Sequence, residues 1–542
     1  MSAPEVAPTP EPGVPAHVEI YDTTLRDGAQ LEGISLTVDD KLRIAEQLDW
    51  LGVHYVEAGW PGANPKDDEL FRRAVAGGEL AFTTSRLVAF GSTRRPAGKV
   101  DSDDTLRHLV ASGAPSVCIV GKCWDYHVTE ALGTTLDEGE AMVRESVEYL
   151  RAHTEQVLFD AEHFFDGYRR NPEFGLRVLE AATVAGASHL VLCDTNGGTL
   201  PHDVERIVRE VVAYFGGDVV VAVHLHDDAG TGVANALAGV RGGASQVQGT
   251  INGYGERTGN CNLTSIIPNL TLKMGVETIP SGHLDRLTPV ANHVAELVNR
   301  ALDPQAPYVG ASAFAHKAGL HTSAIAKRPD AYEHVPPGTV GNGTRFVVSE
   351  LAGRSTLALK AAELGIELDG PMLGDVVDTL KRLEHEGYHF EVADGSLELL
   401  MRHATGWRHD WFHVESWEVI VDDAADEHRL STRAVVKGTV AGARFHEVAE
   451  GNGPVNALDR ALRKSINGRY PALAHVHLTD YRVRVLDSAK GTGAVTRVLI
   501  DSTDGERTWT TIGVGENIIE ASWQALEDSL VYGLLQGGSS PA

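Results

Sequence analysis

The chain runs to 542 residues, too many for one ordinary domain at roughly 100–200 residues each, which points to about three units or a barrel plus additions. Its 42% hydrophobic content suits a soluble protein with a large core. The net charge of −28 excludes a nucleic-acid-binding surface, because so acidic a face repels phosphates, and no apolar run approaches the roughly 18 residues of a membrane span.

The first stretch, "MSAPEVAPTPEPGVPAH", has no basic start and no apolar core of a signal peptide. Its prolines predict a disordered tail over 1–16. From residue 18 to about 275, short β-branched runs alternate with helical patterns, the mark of βα units on a parallel sheet. The predicted strands are "VEIYD" (18–22), "HYVEAG" (54–59), "LVAFGS" (87–92), "SVCIVG" (116–121), "QVLFDAEH" (156–163), "HLVLCDT" (189–195), "VVVAVHLH" (219–226) and "QVQGTI" (246–251). Between the first two, Leu42, Ala45, Leu48 and Leu51 follow helical spacing. Eight such units match a (β/α)8 barrel, placed at 17–284. An open doubly wound sheet is the alternative, but no G-x-G-x-x-G follows the first strand. Of the four cysteines, Cys118, Cys123, Cys193 and Cys261, no two form a C-x-x-C pair, which reads as reduced thiols in a cytoplasmic protein.

A helical region with a polar insert, "AFAHKAGLHTSAIAKRPDAYEH" (313–334), is expected over 285–405, and an α+β domain over 406–542. In the latter, "GNGPVNALDRALRKSI" (451–466) aligns without gaps to "GENIIEASWQALEDSL" (515–530). Ala457, Ala461, Leu462 and Ser465 thereby match Ala521, Ala525, Leu526 and Ser529. Each copy follows strands, so two β-rich halves closed by a helix are predicted, related by a pseudo-two-fold. The alternative is two unrelated alanine-rich helices.

A barrel of this kind gathers its chemistry at the C-terminal ends of the strands. Asp22 ends the first strand, Arg26 and Asp27 follow it, and Glu57 ends the second. Glu162 and His163 end the fifth, Asp194 and Thr195 the sixth, and His224 and His226 the seventh. Residues two apart on a strand share a side, so His224 and His226 present both imidazoles together. Barrel closure brings Asp27 near them, and two nitrogens with one carboxylate suit a catalytic Mg²⁺, Mn²⁺ or Zn²⁺. Asn260, in the loop after strand eight, can complete the set. Arg26 is placed to hydrogen-bond an oxygen that becomes negative. No nucleophilic serine or cysteine motif is seen, so carbonyl polarisation or enolate chemistry fits better than acyl-enzyme hydrolysis.

"YDTTLRDGAQ", the H-x-H of strand seven, "GTINGYGERTGN" and "AFAHKAGLH" resemble the acyl-CoA-dependent Claisen-condensing synthases of 2-isopropylmalate, homocitrate and citramalate. These belong with HMG-CoA lyase among metal-dependent TIM barrels, and the resemblance covers nearly the whole chain. "DGAQLEGISLTVDDKLRIAEQLDWLGVHYVEAGWPGANPKD" and "VAFGSTRR" are most similar to the long citramalate synthases. The resemblance implies an acyltransferase that condenses acetyl-CoA with pyruvate and hydrolyses the product to citramalate and CoA, on the threonine-independent route to isoleucine. It implies Asp27, His224, His226 and Asn260 as metal ligands, Arg26 on the ketone oxygen and Thr195 on the 2-oxo acid carboxylate. Glu162 is implied near the reacting carbons, with His321 as base for the acetyl-CoA methyl group and Tyr332 beside it in the insert. A homodimer follows from the same resemblance, because in relatives the insert reaches over the partner's barrel. So does isoleucine as effector of the C-terminal domain, against an oligomerisation module without ligand. The rival readings are 2-isopropylmalate synthesis from 2-oxoisovalerate, a lyase running the cleavage, and a non-catalytic metabolite sensor. One departure stands out: Asp227 occupies the position where the synthases usually carry Asn, matching the H-x-H-D of the lyase branch. It adds either an anionic group beside the ion or an acceptor for a neighbour.

Overall fold

The computed structural model describes residues 8–316, 328–346, 354–424 and 429–538. These form two compact units, the first comprising Met1–Phe314 with Glu333–Thr344 and the second Ala315–Tyr332 with Arg345–Ala542, as far as each is described.

In the first unit, eight parallel strands close into a barrel in chain order. They are β1 (Glu19–Asp22), β2 (Tyr55–Gly59), β3 (Arg86–Ser92), β4 (Ser116–Lys122), β5 (Gln156–Glu162), β6 (His189–Asp194), β7 (Val220–Leu225) and β8 (Gln246–Gly249). β8 pairs with β1, Gln246 opposite Glu19 and Gly249 opposite Asp22. The predicted barrel is therefore what the chain builds, with strand ends shifted by at most a few residues. Helix starts are written locally: Thr37 and Asp40 form a capping box at the Val38–Leu51 helix, and Asn171 with Pro172 opens the Pro172–Val184 helix. Strand alternation sorts the apolar side chains into two sets. Ile20, Val56, Ala89, Ile119, Phe159 and Leu192 pack outward into one core with the helices. Tyr21, Tyr55, Val88, Phe90, Cys118 and Leu158 fill the lumen. The helix Leu287–Leu297 adds Leu287, Val290 and Val294 to the outer core.

The second unit begins with a short parallel pair, β9 (Ala315–His316) and β10 (Arg345–Phe346), followed by helices Arg354–Glu363, Gly370–Glu386 and Asp394–Ala404. Next come β11 (Phe412–Ala424), β12 (Arg429–Val440) and β13 (Ala443–Gly451), an antiparallel sheet closed by the helix Pro454–Ile466. β14 (His477–Val485), β15 (Thr496–Thr503) and β16 (Thr508–Gly515) repeat the arrangement with the helix Ile518–Gln536. The predicted internal repeat is thus a duplicated βββα unit. Ala457, Ala461 and Leu462 in one helix and Ala521, Ala525 and Leu526 in the other are all buried in a shared core. The repeated alanines reflect the need for small side chains where a helix lies close on a sheet, and the repeated leucine fills the space beside them. Among the described residues, no helix is long and apolar enough to cross a membrane.

Candidate metal centre and active site

Asp27, His224 and His226 converge at the C-terminal mouth of the barrel. Their ligand atoms lie within 4.8 Å of one another, and all three side chains are buried. His224 Nε2 is 3.3 Å and His226 Nε2 3.9 Å from Asp27 Oδ2, with 3.4 Å between the two nitrogens. Each position has a local cause. The turn after β1 is closed by the Asp27 amide donating to the Thr23 carbonyl at 2.9 Å. His224 lies on β7, and its Nδ1–H donates to Gln248 Oε1 on β8 at 3.0 Å, which leaves Nε2 as the nitrogen with a lone pair for the cluster. His226 is bridged antiparallel to Asn260. That bridge needs the tight loop before it: Gly259 has φ +97°, and a Cβ there would stand 2.0 Å from the Gly253 carbonyl oxygen.

The donor set fits a divalent cation. Asn260 is buried, and neither its carbonyl oxygen nor its amide nitrogen has a hydrogen-bond partner. An orphaned buried amide beside two imidazoles and a carboxylate is what a ligand oxygen looks like before its ion is counted. Without an ion, burial opposes the charge on His224 but Asp27 outweighs it and holds that ring above its usual range; the other two groups are poised as ligands. Burial opposes the charge on Asp27, but Arg26 and then the two histidines outweigh it and hold the carboxyl well below its usual range. Burial, reinforced by His224, lowers His226 to about 4, so that ring is neutral and has a lone pair to offer.

Arg26 is fixed from three sides. Its Nε donates to Glu57 Oε1 at 2.6 Å, its Nη1 lies 3.4 Å from Asp27 Oδ2, and its guanidinium carbon sits 3.8 Å from the centroid of the Phe90 ring. Glu57 is fully buried and also accepts from the hydroxyls of Tyr21 and Thr23. Beneath them Asp160 accepts from the Cys118 thiol at 3.1 Å, and burial raises its carboxyl to about 6.

The other predicted residues divide. Thr195 Oγ1 accepts the His163 backbone N–H at 3.0 Å, which leaves its own O–H to donate, and the Arg257 guanidinium holds its carbonyl at 2.7 Å. Glu162 is ion-paired with Lys122. Tyr332 is 47% exposed in the second unit, and His321 lies outside the described residues. Glu57, Gln248, Asp160 and Lys122 received no role from sequence reasoning. Their signal was strand alternation, since each shares a side with a lumen or mouth residue two positions away.

Asp227 is resolved by its partner. Its carboxylate accepts the Gly232 N–H at 2.5 Å and so caps the Gly232–Arg241 helix, whose own N-cap, Thr231, makes no side-chain cap. An asparagine oxygen can take the same bond. Asp227→Asn is therefore expected to leave metal affinity within about threefold and to cost a few tenths of a kcal/mol, whereas Asp227→Ala costs about 1 kcal/mol. Calorimetric metal titration and thermal unfolding of both variants check this; a tenfold or larger change in affinity for Asp227→Asn would contradict it.

Comparison with known proteins covers the chain almost end to end. The HMGL-like family profile matches residues 17–294, the homocitrate synthase post-HMGL domain-like profile 308–388, and the LeuA allosteric (dimerisation) domain profile 391–534. The (R)-citramalate synthase of Aquifex aeolicus is 52% identical over 521 residues, covering 96% of this chain and 98% of the relative. That of Streptomyces coelicolor is 50% identical over 526 residues, covering 96% and 98%. A 2-isopropylmalate synthase of Methylorubrum populi falls to 32% over 518 residues, covering 95% and 94%.

Proposed function

The chain belongs to the (R)-citramalate synthase family, and from that membership we propose how its own residues condense acetyl-CoA with pyruvate and release citramalate and CoA. The observation that carries the reading is the convergence of Asp27, His224 and His226, with the orphaned Asn260 amide, beside Arg26 at the barrel mouth. These four would hold the cation, which supplies Lewis-acid polarisation of the ketone. Arg26, kept charged and aimed by Glu57 and Phe90, donates to the ketone oxygen as it becomes an alkoxide. The free Thr195 hydroxyl donates to the 2-oxo acid carboxylate. Glu162 faces the reacting carbons. His321 takes the methyl proton of acetyl-CoA, with Tyr332 of the same insert beside it. Both come from the insert that relatives place over a partner barrel, which is consistent with a homodimer joined by the LeuA-type domain. Four buried, unpaired cysteines fit a reducing cytoplasm.

The selectivity between pyruvate and 2-oxoisovalerate tests the substrate. A few methyl groups are worth about 1–3 kcal/mol each, so kcat/KM from CoA-thiol release is expected to favour pyruvate by at least about tenfold. Preference for 2-oxoisovalerate would move the chain to 2-isopropylmalate synthesis.

For regulation, the second unit offers a cavity of about 450 Å³ lined by Val455, Asp459, Arg463, Tyr481, Leu526 and Leu530 among others. Apolar walls with one charge of each sign suit a zwitterionic aliphatic amino acid; Asp459 and Arg463 pair with each other at 2.7 Å, and Arg463 also donates to the Leu473 carbonyl at 2.8 Å. Isoleucine is expected to inhibit the full chain, and Asp459→Asn to raise the inhibitory concentration at least about tenfold without changing uninhibited turnover, a loss of roughly 1.4 kcal/mol at a charged contact. Unchanged inhibition would place the effector elsewhere.

A further inference from the structure

The β4–β5 side of the mouth holds a charged pair whose cation has no role in the reaction described so far. On β4, Ser116, Cys118, Val120 and Lys122 share one side by strand alternation, and Cys118 packs in the lumen with Val120 against the same cluster. On β5 the same parity puts Leu158, Asp160 and Glu162 toward the lumen. Lys122 and Glu162 end their strands directly opposite each other in register, and their side chains form an ion pair. Side-chain exposures of 30% and 23% leave the ammonium within reach of a ligand entering the mouth. Of the eight residues that end the barrel strands, Lys122 alone is basic. Two other arginines near the mouth are held by carboxylates: Arg94 bonds Glu138 and Glu145 at 2.7 Å, and Arg257 is forked onto Asp228. Barrel closure sets β4 across the lumen from β8, so Lys122 faces the wall that carries Asp27, His224 and Asn260.

We propose that Lys122 is the cation that receives the negative charge developing on the thioester oxygen of the acyl-CoA substrate, an inference that rests on the condensation reading above. The chemistry requires such a group. Removing a methyl proton sends the C–H electron pair into a new C=C bond and the carbonyl π pair onto oxygen, while the proton stays on the base. A neutral imidazole is a weak base for so weak a carbon acid, so the enolate oxygen must be stabilised as it forms. The metal ligands sit on the opposite wall, and Arg26, which reaches across to Phe90 on β3, is held by Glu57 and Asp27 and serves the ketone oxygen of the other substrate. Lys122 donates N–H to the enolate oxygen, and Glu162 holds the ammonium at the mouth when no thioester is bound. When the enolate carbon attacks the ketone, the charge leaves that oxygen and the ammonium returns to Glu162.

The test compares Lys122→Met and Lys122→Arg in the full chain by steady-state kinetics, by exchange of acetyl-CoA methyl protons with D₂O with and without pyruvate, and by thermal unfolding. Lys122→Met is expected to lose about 10²–10³-fold in kcat and in methyl exchange, the range for removing an oxyanion donor. KM for the 2-oxo acid should stay within about threefold and the unfolding temperature should be unchanged, because Glu162 keeps access to water. Lys122→Arg should recover at least about tenfold over Lys122→Met, since a cationic donor is restored. A Lys122→Met turnover within about threefold of wild type would overturn the proposal. So would a loss confined to KM for the 2-oxo acid, or one that follows the unfolding temperature and is not rescued by arginine. Absence of CoA release by the wild-type chain with every 2-oxo acid would instead overturn the condensation reading itself.

Discussion

His224→Ala is expected to leave a folded chain that binds metal poorly and turns over roughly 10³-fold more slowly or worse, because a Lewis acid supplies several kcal/mol and each 1.36 kcal/mol is tenfold. His224 Nδ1 is spent on Gln248 Oε1, so the substitution removes one nitrogen pointing at the cluster, 3.3 Å from Asp27. Asp27, His226 and Asn260 remain, and three donors without the best-oriented imidazole hold a divalent ion weakly. The folding cost is modest, about 1–3 kcal/mol for a buried side chain whose hydrogen-bond partner is left unpaired. Gln248→Leu separates orientation from ligation. It keeps the ligand and removes its anchor, and should lower metal affinity about 10–100-fold. Metal titration by calorimetry and circular dichroism of both variants check this. Wild-type affinity in His224→Ala would take that residue out of the ligand set.

Arg26→Ala is expected to lower turnover about 10²–10³-fold, the usual cost of one donor at a developing oxyanion. It carries a second effect that must be separated from the first. Glu57 is fully buried and pairs with Arg26 at 2.6 Å, so truncation leaves an uncompensated buried charge that costs about 3–5 kcal/mol. Arg26→Ala combined with Glu57→Gln removes that charge; the amide oxygen keeps one of the two bonds that Tyr21 and Thr23 make to separate carboxylate oxygens, and the amide NH2 donates to the other hydroxyl. The double variant should regain most of the lost thermal stability and none of the lost turnover. Arg26→Lys should keep part of the stability and little of the rate, because an ammonium cannot match the guanidinium fork or its stacking on Phe90. Recovery of turnover in the double variant would reduce Arg26 to a structural counter-ion.

The parts of this site that were legible in the sequence share one property: they follow from alternation and closure alone. His224 and His226 are two apart on a strand, Asp27 ends the neighbouring turn, and eight strand-sized runs demand a barrel that brings the two together. The duplicated βββα unit was legible for a similar reason, since Ala457 and Ala461 repeat as Ala521 and Ala525 at the same helical spacing. What could not be read depends on register or on side-chain direction within a loop. That Glu57 meets Arg26 requires the way β2 lies against β1, and that Lys122 meets Glu162 requires the β4–β5 register. Asp227 is the sharpest case. Its place in the chain set it beside His224 and His226, but the turn aims its carboxylate at the Gly232 amide, and a helix cap needs no metal to explain it.

In the proposed reading, a cation held by Asp27, His224, His226 and Asn260 makes the barrel mouth a condensing site. Release of CoA thiol from acetyl-CoA and pyruvate, followed before chelation with EDTA, after it, and after Mg²⁺ or Mn²⁺ is added back, tests this most directly. Chelation is expected to abolish turnover and the added metal to restore it, with citramalate as the product. Turnover indifferent to chelation, or no CoA release at any stage, would contradict it.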